Sequence, residues 1–175
     1  TLAESIIGHG KKYKRVVGIT LGTGVGSGLV EDKKLISGVE FGHVSINFAG
    51  PKCACANRGC IEEYAGSRAL KRLAKKYKLK VSTGQELYDL ASQGNKKALR
   101  LWDDFGKDLG FILISVARAY KPEIIILGGQ ISKAYKFFGR SMNKNLKYKD
   151  SFKTPIIKVS KLNNAAIAAA AFVNK

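Results

Sequence analysis

The chain predicts an α/β domain, because strand-like and helix-like stretches alternate along it. Three stretches carry that prediction. Residues 16–31, VVGITLGTGVGSGLVE, read as two strands around a glycine-rich turn. A long segment then repeats its apolar residues at helical spacing. Finally Glu123-Ile124-Ile125-Ile126-Leu127 reads as a buried strand running into Gly128-Gly129. A length of 175 residues is one domain, or one domain plus an appended element.

In the first strand pair, Val16, Val17, Ile19 and Leu21 lead in, and Leu29 and Val30 lead out. Gly22, Gly24, Gly26 and Gly28 alternate between them, where glycine lets a backbone turn or approach a ligand. A short strand at Lys34 to Ile36 follows. After a loop rich in Gly, Asn and Pro, the residues Ile61, Tyr64, Ala65, Leu70, Leu73, Ala74 and Tyr77 take helical spacing. Ser82-Thr83-Gly84-Gln85 resembles a capping box for a short helix through Gln93. A long helix from Asn95 to Tyr120 carries the stripe Leu99, Trp102, Phe105, Leu109, Ile112 and Val116, and Lys121-Pro122 ends it. Beyond the buried strand come a helix near Lys133 to Asn143, a strand at Ile156 to Val159, and an alanine-rich helix from Asn163 to Val173.

The hydrophobic fraction of 45 % is enough for a core. No apolar run has the length of a membrane span. Thr1-Leu2-Ala3-Glu4 lacks the basic and apolar regions of a signal peptide. It also lacks an initiator Met, and the chain reads as a part of a longer protein. Reduced, clustered cysteines fit the cytoplasm. The net charge of +18 invites a nucleic-acid reading. The basic residues are mostly Lys, however, whereas base edges are read mainly by Arg. Neither interleaved aromatics nor a helix-turn-helix accompany them, so a solvated lysine surface is the preferred reading. His9 reads as a surface residue, and Lys11 to Arg15 are given no catalytic role.

All three cysteines lie in one short stretch with one of the two histidines: His43, Cys53, Cys55 and Cys60. Cysteines buried as small hydrophobes would not cluster so tightly. A disulfide would pair two and leave the third over. Four N/S ligands suit tetrahedral zinc, and a Cys₃His set closes its coordination sphere. Such a zinc is structural. Glu40 stands just before the cluster and Glu62 just after it, which makes the metal loop a pointer to a binding site.

Four motifs in this order resemble the ROK family (repressors, open reading frames and sugar kinases), above all its glucokinase-like members. Gly22-Thr23-Gly24-Val25-Gly26-Ser27-Gly28 resembles the family's phosphate loop. Glu40-Phe41-Gly42-His43 resembles its E-x-G-H sugar motif. Cys53 to Glu62, CACANRGCIE, resembles its zinc motif. Pro122 to Gly129, PEIIILGG, resembles the strand and glycine pair beside the adenine. The resemblance implies an actin-like, ribonuclease-H-like sugar kinase fold, with residues 1–175 as its second lobe and the final helix returning towards the first.

The resemblance further implies an ATP-dependent hexose kinase acting with Mg-ATP on a primary hydroxyl. Glucose or an N-acetylhexosamine is the implied substrate, and a homodimer the implied assembly. Glu40, His43 and Glu62 would contact the sugar, with Asn47 and Glu63 as weaker candidates. His43 would divide its two nitrogens between zinc and sugar. Residues Gly22 to Gly28 would cradle phosphates, and Gly128 and Gly129 would admit the nucleotide. The general-base aspartate is expected upstream of Thr1. A ROK repressor, which uses the same sugar site to sense an inducer and binds DNA through another module, is the alternative. A third possibility is a zinc-stabilised interaction domain with no sugar chemistry. Three positions depart from the family pattern. Ala56 stands where a glycine is usual, the Gly38–Glu40 connection is short, and Ala168 to Ala171 lack a glycine.

Overall fold

The computed structural model describes residues 1–146 and 153–162. A mixed five-stranded sheet forms its spine. The strands are β1 (Arg15–Leu21), β2 (Val25–Glu31), β3 (Lys34–Ile36), β4 (Ile124–Gly128) and β5 (Ile156–Val159), in spatial order β3-β2-β1-β4-β5. β1 and β2 form an antiparallel hairpin, with Leu21 opposite Val25 and Thr20 opposite Gly26. β4 joins β1 in parallel, and β5 joins β4 in parallel. The predicted α/β class is therefore present, and the strand assignments hold. The alanine-rich helix expected at 163–173 lies outside the described residues.

Alternation along the strands sends side chains to two faces. Val17, Ile19, Leu21, Ile125 and Leu127 join the main core with the large helices. Val16, Val30, Ile124 and Ile126 form a smaller cluster with Leu2 and Tyr13 on the other face. Leu2 belongs to α1 (Leu2–Ile6), a helix that the spacing of so short a segment did not predict. Its Glu4 is buried, accepts the His9 N–H at 3.0 Å, and meets the Ser160 hydroxyl. His9 is accordingly half-buried rather than a plain surface residue. The Lys33 ammonium closes the loop after α1 by donating to the carbonyls of Ser5 (2.7 Å), Lys11 (2.8 Å), Tyr13 (3.2 Å) and Gly10 (3.3 Å).

The helical stretch that starts near Ile61 is broken. It divides into α2 (Glu62–Ala65) and α3 (Ser67–Lys76) at Gly66, whose backbone is extended. A Cβ at Gly66 would meet the Glu62 and Thr23 carbonyl oxygens at 2.9 and 3.0 Å, so the break makes room for the β1–β2 turn. Next comes α4 (Gly84–Ser92), where the capping partner is Glu86 rather than Gln85. Thr83 Oγ1 accepts the Glu86 N–H, and Glu86 Oε2 accepts the Ser82 N–H. The long helix α5 (Lys96–Tyr120) lies where expected, and the Asn95 side chain caps it. Leu99 is 38 % exposed, and Ala98, Leu101 and Leu113 complete the buried stripe instead. A 3₁₀ turn (Ile131–Ala134) leads into α6 (Tyr135–Leu146). Trp102, Phe105 and Phe138 lock α5 to α6, with ring centroids 5.4–6.0 Å apart. Among the described residues no helix is long and apolar enough to cross a membrane.

Candidate functional site

The segment 37–61 folds as a loop hung between β3 and α2. Two isolated bridges, Ser45 with Cys60 and Lys52 with Arg58, fold it back on itself. That brings His43, Cys53, Cys55 and Cys60 together, with their candidate ligand atoms all within 4.8 Å of one another. Cys55 Sγ lies 3.5 Å from Cys60 Sγ, and Cys53 Sγ lies 3.7 Å from His43 Nδ1. Around a tetrahedral zinc with Zn–S near 2.3 Å, ligand atoms are separated by about 3.5–3.8 Å. The cluster fits that ion, and 3.5 Å is far from a disulfide bond. Burial pushes the Cys60 thiol up to about 12, while the backbone N–H of Asn57 draws Cys55 down. Loading a metal must therefore strip a proton from Cys60.

His43 turns Nδ1 towards Cys53, which leaves Nε2 as its second nitrogen. The Cys53 side chain is the largest influence that raises the His43 pKa, and the Glu62 and Glu40 carboxylates add to it. Of the predicted sugar contacts, Glu62 also lies beside the cluster, its carboxylate within 4.8 Å of the Cys53 sulfur. Glu40 is exposed. Its segment is held by the Ser27 hydroxyl, which donates to Val39 O at 3.1 Å and accepts the Phe41 N–H at 3.0 Å. Glu62 is held more firmly. Its Oε2 accepts the Val25 N–H at 3.2 Å, and its Oε1 pairs with Arg68. Glu63 is buried and pairs with Arg68 Nε at 2.6 Å. Asn47 shapes the metal loop, donating to the Tyr64 hydroxyl and accepting the Ala49 N–H.

The turn of the glycine-rich hairpin is shorter than its glycine pattern suggests. Only Gly22, Thr23 and Gly24 lie outside the strands, and Val25 to Gly28 belong to β2. The Gly22 N–H is spent on Gly24 O at 3.0 Å. A Cβ on Gly28 would meet Thr1 Oγ1 at 2.6 Å, so that glycine makes room for Thr1. A Cβ on Gly22 would meet nothing within 4 Å.

That open space belongs to a cavity of about 690 Å³, lined by Gly22, Thr23, Ser67, Lys71, Thr83, Gln85, Gln130 and Lys133 above an apolar floor of Leu70, Leu87 and Trp102. Such a volume suits a nucleotide-sized ligand. Gly128 and Gly129 do not line it; the two residues after them, Gln130 and Ile131, do. Gly129 has φ +83°, and its missing Cβ would lie 2.3 Å from Leu21 O. It turns the chain from β4 into the cavity wall. Arg68, Ser67 and the cavity residues on α3 and α4 were not found from sequence. Ordinary amphipathic helices give no signal for what their N-terminal ends face.

The ROK family model matches residues 1–175. A glucokinase of Thermotoga maritima is 34 % identical over 152 residues, covering 76 % of this chain and 48 % of that protein. A xylose repressor of Bacillus spizizenii is 34 % identical over 137 residues, covering 75 % of this chain and 35 % of that protein. This chain therefore spans half the length, or less, of these relatives. A crystal structure of a ROK family glucokinase from Streptomyces griseus, in complex with glucose and AMPPNP, matches with a TM-score of 0.86 and 26 % identity, covering 98 % of this chain and 64 % of that one. The mixed sheet is thus the actin-like fold of the ROK sugar kinases.

Proposed function

Because the chain belongs to the ROK family, we propose that residues 1–175 are the second lobe of an ATP-dependent hexose kinase. This lobe supplies the sugar pocket, a structural zinc loop at 43–60 and one wall of the nucleotide site. The observation that carries the proposal is the adjacency of two features. The Glu62 carboxylate lies within 4.8 Å of Cys53 of the Cys₃His cluster, and it packs against Gly24 of the turn whose Gly22 and Thr23 line the cavity. The glucose and AMPPNP of the Streptomyces griseus glucokinase indicate the ligands for such an arrangement.

Phosphoryl transfer asks a protein chiefly for positioning and charge stabilisation. Glu40 and Glu62 would accept hydrogen bonds from sugar hydroxyls. His43, aimed by a metal on Nδ1, would donate from Nε2. A zinc closed by four protein ligands offers no open position, so its contribution is to hold the loop. Magnesium would accompany ATP in the cavity and neutralise its phosphates. The hydroxyl proton would go to an aspartate of the first lobe. A cytoplasmic homodimer is the proposed assembly. Glucose or an N-acetylhexosamine is the proposed substrate.

The repressor reading stands beside it, because xylose repressors match as well as glucokinases do. Titration calorimetry on the zinc-loaded chain tests the sugar pocket. Glucose or N-acetylglucosamine should bind. Glu40→Gln and Glu62→Gln should each weaken binding about tenfold or more, the scale of a hydrogen bond to a charged group. Unchanged binding in both variants would remove the site. Turnover of glucose by the 175-residue chain alone would refute the assignment of the base to the other lobe.

A further inference from the structure

We propose that Arg68 is a positioning residue for this pocket, holding the Glu62 carboxylate at the orientation in which it meets a ligand hydroxyl. The proposal rests on the reading of Glu62 as a sugar contact. Arg68 lies outside every motif that marked the site in the sequence.

The geometry around Glu62 is a clamp. Arg68 Nη2 donates to Glu62 Oε1, while its Nε donates to Oε1 of the buried Glu63 at 2.6 Å. One planar guanidinium therefore bridges two neighbouring carboxylates, a task for which the point charge of a lysine is poorly shaped. On the opposite side the Val25 N–H donates to Glu62 Oε2 at 3.2 Å. A Cβ on Gly24 would stand 2.1 Å from that same oxygen, so the glycine is what lets the carboxylate seat against the turn. Each carboxylate oxygen has two acceptor positions. Arg68 occupies one on Oε1 and Val25 one on Oε2, which leaves one on each for a ligand.

The clamp is also anchored at its base. Arg68 follows Ser67, whose N–H donates to Gly22 O at 2.9 Å and whose hydroxyl donates to Thr23 O at 3.1 Å. The guanidinium is thus planted by the turn that Glu62 faces. Electrostatics call for a cation here. Ligand atoms of Cys53, Glu62 and Glu63 all lie within 4.8 Å of one another. A Zn²⁺ held by three thiolates and a neutral imidazole would still be a net anion. Without Arg68, Glu62 would be pushed away from both neighbours.

The test uses the zinc-loaded 175-residue chain, with glucose and N-acetylglucosamine as probes. Arg68→Met should weaken sugar binding at least tenfold. Because that variant strands the buried Glu63 charge, the double variant Glu63→Gln/Arg68→Met is made as well; it should fold, retain zinc and bind sugar as weakly. Arg68→Lys restores a charge without the bridge and should remain about fivefold weak, whereas full rescue by Lys would reduce Arg68 to a counter-charge and overturn the proposal. A second readout needs no sugar. Hydrogen exchange of the Val25 amide should accelerate about tenfold in both Met variants, as it should in Glu62→Gln. Wild-type Val25 exchange in the folded double variant would overturn the proposal. If the wild-type chain binds neither sugar, the sugar reading of the pocket fails, and the Val25 exchange still decides whether Arg68 positions Glu62.

Discussion

Ala56→Gly should stabilise the metal loop. Ala56 closes the turn between the cysteines, with its N–H on Cys53 O at 3.1 Å and the Cys53 N–H on Asn57 O at 2.8 Å. Its φ is +72°, in the left-handed region. An L-residue there carries about 1–2 kcal/mol of strain that glycine escapes. Glycine returns about 0.4–1 kcal/mol of this through the greater freedom of the unfolded chain. The side chain is exposed, so no packing is lost. The net gain is about 0.5–1 kcal/mol. Thermal denaturation of the zinc-loaded chain should shift up by about 1–4 °C. Competition with a chelator should show zinc held about 2–5-fold more tightly. Gly59→Ala is the opposite control. Its φ is +63°, and a Cβ would stand 1.8 Å from the Asn47 carbonyl oxygen. It should lose zinc and the loop together. An Ala56→Gly chain that melts no higher than the parent and holds zinc no more tightly would refute the strain argument.

Two glycines that resemble nucleotide-site residues should separate cleanly. Gly22→Ala meets nothing within 4 Å, so stability should stay within about 0.5 kcal/mol while Mg-ATP binding to the cavity weakens. Gly129→Ala meets the Leu21 backbone at 2.3 Å with φ +83°, so denaturant titration should find the fold itself destabilised by more than about 2 kcal/mol. Equal effects of the two on stability would contradict the division. Acid stability should reflect Asp104. Burial works to raise its pKa, but hydrogen bonds from Lys76, Tyr77 and Lys107 outweigh it and hold the group down to about 2. A folded-state value below the unfolded one of about 3.9 means that the stabilisation is present above pH 4 and lost as pH falls towards 2. Exposed lysine partners reduce it to about 1 kcal/mol. Urea midpoints measured between pH 4 and pH 2 should therefore fall less in Asp104→Asn than in the parent.

The hairpin shows where local pattern stops being informative. Gly22, Gly24, Gly26 and Gly28 look equivalent in the sequence, yet each is glycine for a different reason or neighbour. Gly22 faces the cavity, Gly24 makes room for Glu62, and Gly28 makes room for Thr1. Gly26 sits in the ladder opposite Thr20. Ser27, grouped with a phosphate loop, instead spends its hydroxyl on the segment that carries Glu40. The break at Gly66 was hidden because helical periodicity runs through it; only contact with the Thr23 carbonyl requires an extended residue there. Leu99 was misassigned for a similar reason, since one helical stripe can be drawn through it or through Ala98 and Leu101.

Three things are legible in the chain alone: the alternation of strands and helices, the clustering of three cysteines with one histidine, and the family. These features are local: period, ligand type and spacing are written in consecutive residues. The departure at Ala56 is visible in the sequence, but its positive φ is seen only in the structure. Packing in three dimensions sets which face of α3 meets the β1–β2 turn, and hence that Arg68 bridges Glu62 to Glu63 and that Gly22 opens onto the cavity. Those contacts join residues on different elements. Their existence depends on how helices seat on the sheet, a choice made by the whole core and written in no short stretch of chain.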